Sequence, residues 1–208
     1  MKVDFERALS FVGHLVEIGL LDAIRETPGF YPYGWLKEND NLFNTYYFAD
    51  GACKGVFCFQ GIDWVIKFDY CNGNSYCGRE LENYVAAKEA DLAHYFPETI
   101  ALCNYENIHF ILQERCDCSE DEVQDVMFDS LKRRYEEWGD SVSNDDIWDE
   151  VYDIETHTAL TCIFDDPELD NFVDERHIND LHTANFGKID DHYVILDFSG
   201  YGYSVWEK

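Results

Sequence analysis

Apolar residues Phe5, Leu9, Val12, Val16 and Leu20 recur at helical spacing, which predicts one amphipathic helix over about residues 3–25, its end marked by Thr27-Pro28-Gly29. Residues 30–44 are rich in aromatics, Pro and Gly but lose the period, predicting an irregular connection. The pattern then turns to strands. Residues 46–48, 56–60 and 63–70 read as an antiparallel set, with turns at Asp50-Gly51 and Gly61-Ile62. After a loop over 71–78, residues 79–95 fit a helix through Leu81, Tyr84, Val85 and the stretch 88–92. Two further strands, 99–104 and 108–114, flank the turn Tyr105-Glu106-Asn107. From Ser119 the pattern is helical to about Trp138, and again over about 146–164 beyond the polar break 139–144. A hairpin closes the chain, with arms 185–189 and 192–196 around Asp190-Asp191.

A strand-rich first half and a helix-rich second half predict an α+β fold. With 208 residues the chain suits one bilobal domain rather than two ordinary ones: an N-terminal helix and connection over 1–44, a first lobe over 45–114 and a second over 115–208, joined near 114–118. A hydrophobic share of 46%, with 16% aromatic, is too high for a largely disordered chain. The formal net charge of -28 argues against binding nucleic acid or an anionic membrane through a basic patch, because phosphates would be repelled. Acidic runs over 120–125 and 145–155 fall on expected helix faces and read as solvated surface; only a nucleic-acid mimic would turn the charge itself to use.

The first turns carry Asp4, Glu6, Arg7, His14 and Glu17, so no apolar signal core lies there, and no run approaches membrane-spanning length. The eight cysteines form no CxxC pair and sit partly in apolar runs, so they read as reduced core residues of a cytoplasmic protein. A four-thiolate zinc site from Cys71, Cys77, Cys116 and Cys118 is rejected because neither spacing matches the usual short knuckle.

The chemistry concentrates near the C-terminal hairpin. If its turn centres on Asp190 and Asp191, Asn185 falls roughly opposite Asp197, and Asp180 hangs from the preceding loop. An amide oxygen and a carboxylate side by side, with another carboxylate nearby, suit a hard cation such as magnesium. Upstream, Trp64-Val65-Ile66-Lys67-Phe68 places a lysine in an otherwise apolar strand, where its ammonium needs a partner: a phosphate, a helix carboxylate, or the sheet edge to which it snorkels. Glu80 and Glu82 of the following helix are both available; Glu82, one turn before the apolar Val85 and Ala86, is the expected partner. The turn from Asp50 to Val56, through Gly51, Ala52, Cys53, Lys54 and Gly55, has small residues that let backbone amides approach phosphates, although ordinary turn geometry explains its glycines as well.

In order along the chain stand a glycine turn, a VIK-type strand, a helix with Glu, two strands ending in Gln113-Glu114-Arg115-Cys116, the loop Asp180-Leu181-His182-Thr183-Ala184-Asn185, and a strand ending in Asp197-Phe198. This set resembles the protein kinase-like superfamily, especially its aminoglycoside-phosphotransferase-like and small bacterial or phage branches, over roughly residues 46–200. The resemblance implies an antiparallel-sheet N-lobe with one main helix and a reduced, mostly helical C-lobe. It implies that Gly51, Ala52 and Cys53 cover the phosphates of ATP, that Lys67 paired with Glu82 contacts them, and that Glu114 to Cys116 form a hinge binding adenine. Asp180 would orient or deprotonate an acceptor hydroxyl, His182 would lie near the transferred phosphate, and Asn185 and Asp197 would hold Mg. The departures are Ile178 where the family often has His, Ser199 in place of the glycine of Asp-Phe-Gly, a sparse glycine loop, and only eight residues after Gly200.

The function expected is a Mg-ATP-dependent phosphotransferase of minimal kinase-like fold acting on a protein or small-molecule hydroxyl. The alternatives are a catalytically inactive kinase-like module that binds a protein partner and, ranked lower, an acidic nucleic-acid mimic. The acceptor is not legible in the residues.

Overall fold

The computed structural model describes residues 4–27, 29–51, 53–70, 75–117 and 120–200. The chain is α+β and divides into two compact units: Met1–Tyr84 with Glu98–Arg115, and Val85–Pro97 with Cys116–Lys208. The N-terminal segment belongs to the first unit and Val85–Pro97 to the second.

The first unit is built on an antiparallel sheet of five strands in the order β1-β2-β3-β5-β4: β1 Tyr47–Asp50, β2 Lys54–Cys58, β3 Trp64–Asp69, β4 Thr99–Tyr105 and β5 Ile108–Glu114. The β4–β5 hairpin turns through Glu106 and Asn107, both at positive φ, as a tight two-residue turn requires. Strand β3 is buried at every position. Period-two alternation sends Trp64, Ile66 and Phe68 to one face and Val65, Lys67 and Asp69 to the other. On the first face the rings of Phe57, Phe68 and Phe110 stack in succession at 5.3 and 5.6 Å. Against them pack α1 (Phe5–Glu17), α2 (Leu20–Glu26) and α3 (Pro32–Asn39), through Phe11, Leu15, Ile24 and Leu36 among others.

The single N-terminal helix expected over 3–25 is two helices. Gly19 at φ 85 breaks it, because that left-handed conformation costs glycine little and ends the α-helical ladder. The supposed irregular connection contains α3, which opens on Pro32 in the first turn, where the missing N–H costs nothing. Buried Asp40, just after α3, accepts from Oη of Tyr46, the residue before β1, at 2.5 Å and from the Leu42 N–H at 2.8 Å, and lies 2.7 Å from His14 Nε2 of α1.

Helix α4 (Tyr76–Glu89) follows β3. In the second unit α5 (Glu120–Trp138) packs against α6 (Asn144–Tyr152), α7 (Thr156–Ile163) and the hairpin strand β6 (Phe186–Ile189), which pairs with β7 (His192–Ile195). The helix expected over 146–164 is α6 and α7, separated at Asp153 to Glu155. Helix α8 (Pro167–Glu175), which the apolar pattern did not predict, is capped by Asp166 and buries Leu169, Phe172 and Val173. Among the described residues no helix is long and apolar enough to cross a membrane.

Candidate functional site

On the α4 side of the sheet the aromatic ladder gives way to charge. Lys67 points from β3 and Lys54 from the start of β2, and β2–β3 pairing sets Lys54 opposite Asp69 and Val56 opposite Lys67, so all four side chains share one face. Glu80 of α4 is completely buried, and both lysines donate to it: Lys54 Nζ to Oε1, and Lys67 Nζ to Oε2 at 3.2 Å and to Oε1 at 3.4 Å. Gln113 of β5 donates to Glu80 Oε2 at 3.5 Å and to Thr99 Oγ1 at 3.2 Å, extending a buried polar layer across the sheet. Asp69 lies in the same layer. It accepts from the Cys77 N–H at 2.8 Å, while its buried Oδ2 has no hydrogen-bond partner among the described residues. Burial pushes the Asp69 carboxyl above its ordinary range, against the lowering effect of the Cys77 hydrogen bonds.

The carboxylate beside Lys67 is therefore Glu80, not Glu82. The buried stripe of α4 runs through Tyr76, Cys77, Glu80, Asn83, Tyr84 and Ala87, whereas Glu82 and Val85 are exposed. Apolar Val85 faces away from the sheet, so its spacing from Glu82 does not mark the inner face; Tyr84 and Ala87, one and two turns beyond Glu80, do.

The turn ahead of β2 is partly described. The Gly51 N–H donates to Lys54 O at 3.0 Å, Tyr70 N–H donates to Cys53 O at 3.0 Å, and Gly51 O accepts from Tyr70 Oη. Gly51 is exposed and Cys53 half-buried, while Ala52 lies outside the described residues, as do Cys71 and Cys118. At the expected hinge the N–H groups of Glu114 and Arg115 already donate to Glu98 O at 2.8 Å and Asp63 O at 3.0 Å. An adenine at this segment would have to be read without those two donors; half-buried Cys116 is the next residue.

In the second unit the loop from Asp180 to Asn185 is held on several sides. Leu181 N–H donates to Thr156 Oγ1 of α7 at 3.2 Å, Thr183 Oγ1 donates to Glu120 Oε1 of α5 at 3.0 Å, and Asn185 Nδ2 donates to Asp180 O at 2.5 Å. The hairpin is anchored by Lys188 and Asp117, whose N–H and C=O groups exchange bonds of 2.7 and 2.9 Å. Its register, Phe186 with Ile195 and Ile189 with His192, sets Asn185 opposite Leu196, whose N–H donates to Asn185 O at 2.8 Å. Asp197 thus stands one residue beyond the pairing expected for it.

Asp197 Oδ1 accepts from Ser199 Oγ at 2.9 Å and from Ser199 N–H at 3.4 Å, so Ser199 orients the carboxylate. Phe198 is fully buried against Phe96. Gly200, at φ 67, passes so close to His177 O that a Cβ would overlap it, which fixes the strand end beside the start of the loop. Ile178 is buried in the core. Asp180, Asn185 and Asp197 are half-buried and His182 is exposed. The Asn185 amide oxygen and the Asp197 carboxylate are hard-oxygen donors of the kind magnesium takes. Among the described residues no three His, Cys, Asp or Glu side chains gather closely enough to hold a metal ion by themselves.

Burial pushes the thiols of Cys58, Cys77, Cys103 and Cys162 up, which suppresses thiolate character. Pattern reading missed Lys54, Asp69, Gln113 and Ser199; for Lys54 a signal existed, since it stands two residues before Val56 and shares its face. No protein-family model, curated protein or solved structure matches the chain.

Proposed function

We propose that the protein is a Mg-ATP-dependent phosphotransferase of minimal kinase-like fold, acting on a hydroxyl of a protein or small molecule. The observation that carries this reading is the buried pair of Lys67 and Glu80, with Nζ 3.2 Å from Oε2. A lysine in the middle strand of a sheet, held by a glutamate from the helix that follows, is the arrangement that phosphoryl-transfer enzymes of this kind use to position α- and β-phosphates. The sheet of the first unit, with α4 inserted between β3 and β4, agrees with the lobe that the resemblance implies.

The residues divide the work. Lys67 binds phosphate oxygens and Glu80 keeps its ammonium in place. Asp180 receives the proton of the acceptor hydroxyl as its oxygen bonds to the γ-phosphorus and the bond to the ADP oxygen breaks. Asn185 and Asp197 hold the metal, with Asp197 oriented by Ser199. Magnesium, when bound, supplies charge neutralisation for the phosphates. Such transfer depends on positioning and electrostatics more than on an exotic side chain.

Incubation with Mg and ATP labelled at the γ- or the α-position decides the matter. The γ-label should move to protein or small molecule and the α-label should not, and Asp197→Ala should abolish the transfer. Transfer of α-label would mean nucleotidyl chemistry. Stabilisation by Mg-ATP without turnover would mean a binding module, and full activity in Asp197→Ala would remove the proposed metal ligand.

A further inference from the structure

Two buried ammonium groups share the Glu80 carboxylate, and a structural ion pair needs only one. Lys54 and Lys67 are both nine-tenths or more buried and approach Glu80 from adjacent strands on one face of the sheet. Desolvating an ammonium is expensive, and a buried ion pair is seldom more stable than apolar packing of the same volume. The same sheet shows the apolar solution on its other face, closed by stacked Phe57, Phe68 and Phe110. Gly55 makes the placement of Lys54 feasible: a Cβ there would lie 2.8 Å from Phe68 Cζ and 2.9 Å from Phe48 Cε2, so only glycine lets the start of β2 lie against the ladder while its neighbour turns to the charged face. Lys54 also follows directly on the turn that holds Gly51 and Cys53. Asp69, a carboxylate on the same face that would weaken a cationic pair, is drawn toward its neutral form by burial.

We infer that Lys54 and Lys67 form a two-lysine clamp for a polyphosphate, with Glu80 as the post that keeps both ammonium groups apart and aimed. The inference deepens the nucleotide reading and rests on it for the identity of the ligand: the clamp holds a di- or triphosphate chain. Lys54 is then a second phosphate-binding residue, taken from the strand after the turn rather than from the strand of Lys67.

The test measures thermal stabilisation and affinity of the full chain with inorganic tripolyphosphate, Mg-ATP, Mg-ADP and adenosine, in wild type, Lys54→Met, Lys54→Gln and Lys67→Met. Lys54→Gln keeps a hydrogen bond to Glu80 without the charge, and it decides the matter if Lys54→Met does not fold. The clamp predicts that tripolyphosphate and Mg-ATP each stabilise the wild type. It also predicts that neutralising Lys54 weakens both by about tenfold or more and leaves adenosine unaffected. A purely structural Lys54 would lower the midpoint without ligand and leave the ligand-induced rise intact, which overturns the clamp while the phosphotransferase reading stands. Lys54-dependent binding of tripolyphosphate without any response to Mg-ATP supports the clamp and removes the nucleotide reading. No response of the wild type to either polyphosphate overturns the clamp.

Discussion

Replacing Glu80 by Ala removes the carboxylate that Lys54 and Lys67 share and leaves two ammonium groups in a layer where the glutamate itself has no exposure. At the 3.2 Å separation of Lys67 Nζ and Glu80 Oε2, opposite unit charges attract by ~5 kcal/mol at an effective dielectric constant of about 20. Part of that attraction is offset by desolvation already incurred on folding, and removing one partner of a buried pair costs ~3–5 kcal/mol in practice. For a chain of this size, ~2–4 °C per kcal/mol converts the loss into a fall in midpoint of ~6–20 °C. Glu80→Gln should cost less, since an amide still accepts one lysine hydrogen bond. Exposed Glu82→Ala is the control and should stay within about 0.5 kcal/mol of wild type. Urea unfolding followed by far-ultraviolet circular dichroism reads the change in each variant. In a double-mutant cycle Lys54→Met and Glu80→Ala should couple by ~0.5–3 kcal/mol. A loss of less than about 1 kcal/mol in Glu80→Ala, or a larger loss in Glu82→Ala than in Glu80→Ala, would refute a buried carboxylate shared by the two lysines.

Tyr46→Phe, which takes the 2.5 Å donor from buried Asp40, should cost ~1–3 kcal/mol in chemical unfolding. Burial alone would raise the Asp40 carboxyl, but hydrogen bonds from Tyr46, His14 and the Leu42 N–H outweigh it and hold the group below its usual range. Its contribution is therefore complete above the ordinary carboxylate range and is lost in acid as the pH falls through the lowered folded value; Asp40→Asn should flatten that acid limb of the stability curve. Asp69 has the opposite sign: with its folded value raised, its contribution is complete below the ordinary range and is lost as the pH rises through that raised value. Asp69→Asn should thus gain on wild type as the pH goes from acid to neutral, and a difference independent of pH would contradict this. Gly55→Ala should destabilise by ~1–3 kcal/mol through overlap with Phe68 and Phe48, measured as a lower midpoint with the fold retained.

The strands of the first unit were legible because alternation of apolar and polar residues needs no knowledge of partners. β5 begins and ends where the pattern places it, and the other strands agree to within a few residues. The C-terminal hairpin was legible for the same reason, since a short turn dictates its own register, apart from the one-residue shift that sets Asn185 opposite Leu196. Where helices end was less so. Gly19 interrupts an apolar period that continues across it, and α8 hides in an acidic segment whose few apolar residues count only once Leu169, Phe172 and Val173 have a core to enter.

By itself, then, the sequence determined the α+β layout and put a lysine in a buried strand, a glutamate in the next helix, and Asp180, Asn185 and Asp197 at one hairpin. Each of these follows from local periodicity or from a turn that closes over a few residues. What the tertiary structure adds is that Glu80 rather than Glu82 faces Lys67 and that Lys54 joins them. Which carboxylate meets which ammonium depends on the rotation of α4 about its axis. That rotation is set by the burial of Tyr84 and Ala87 against the rest of the fold, a quantity that no single stretch of residues contains.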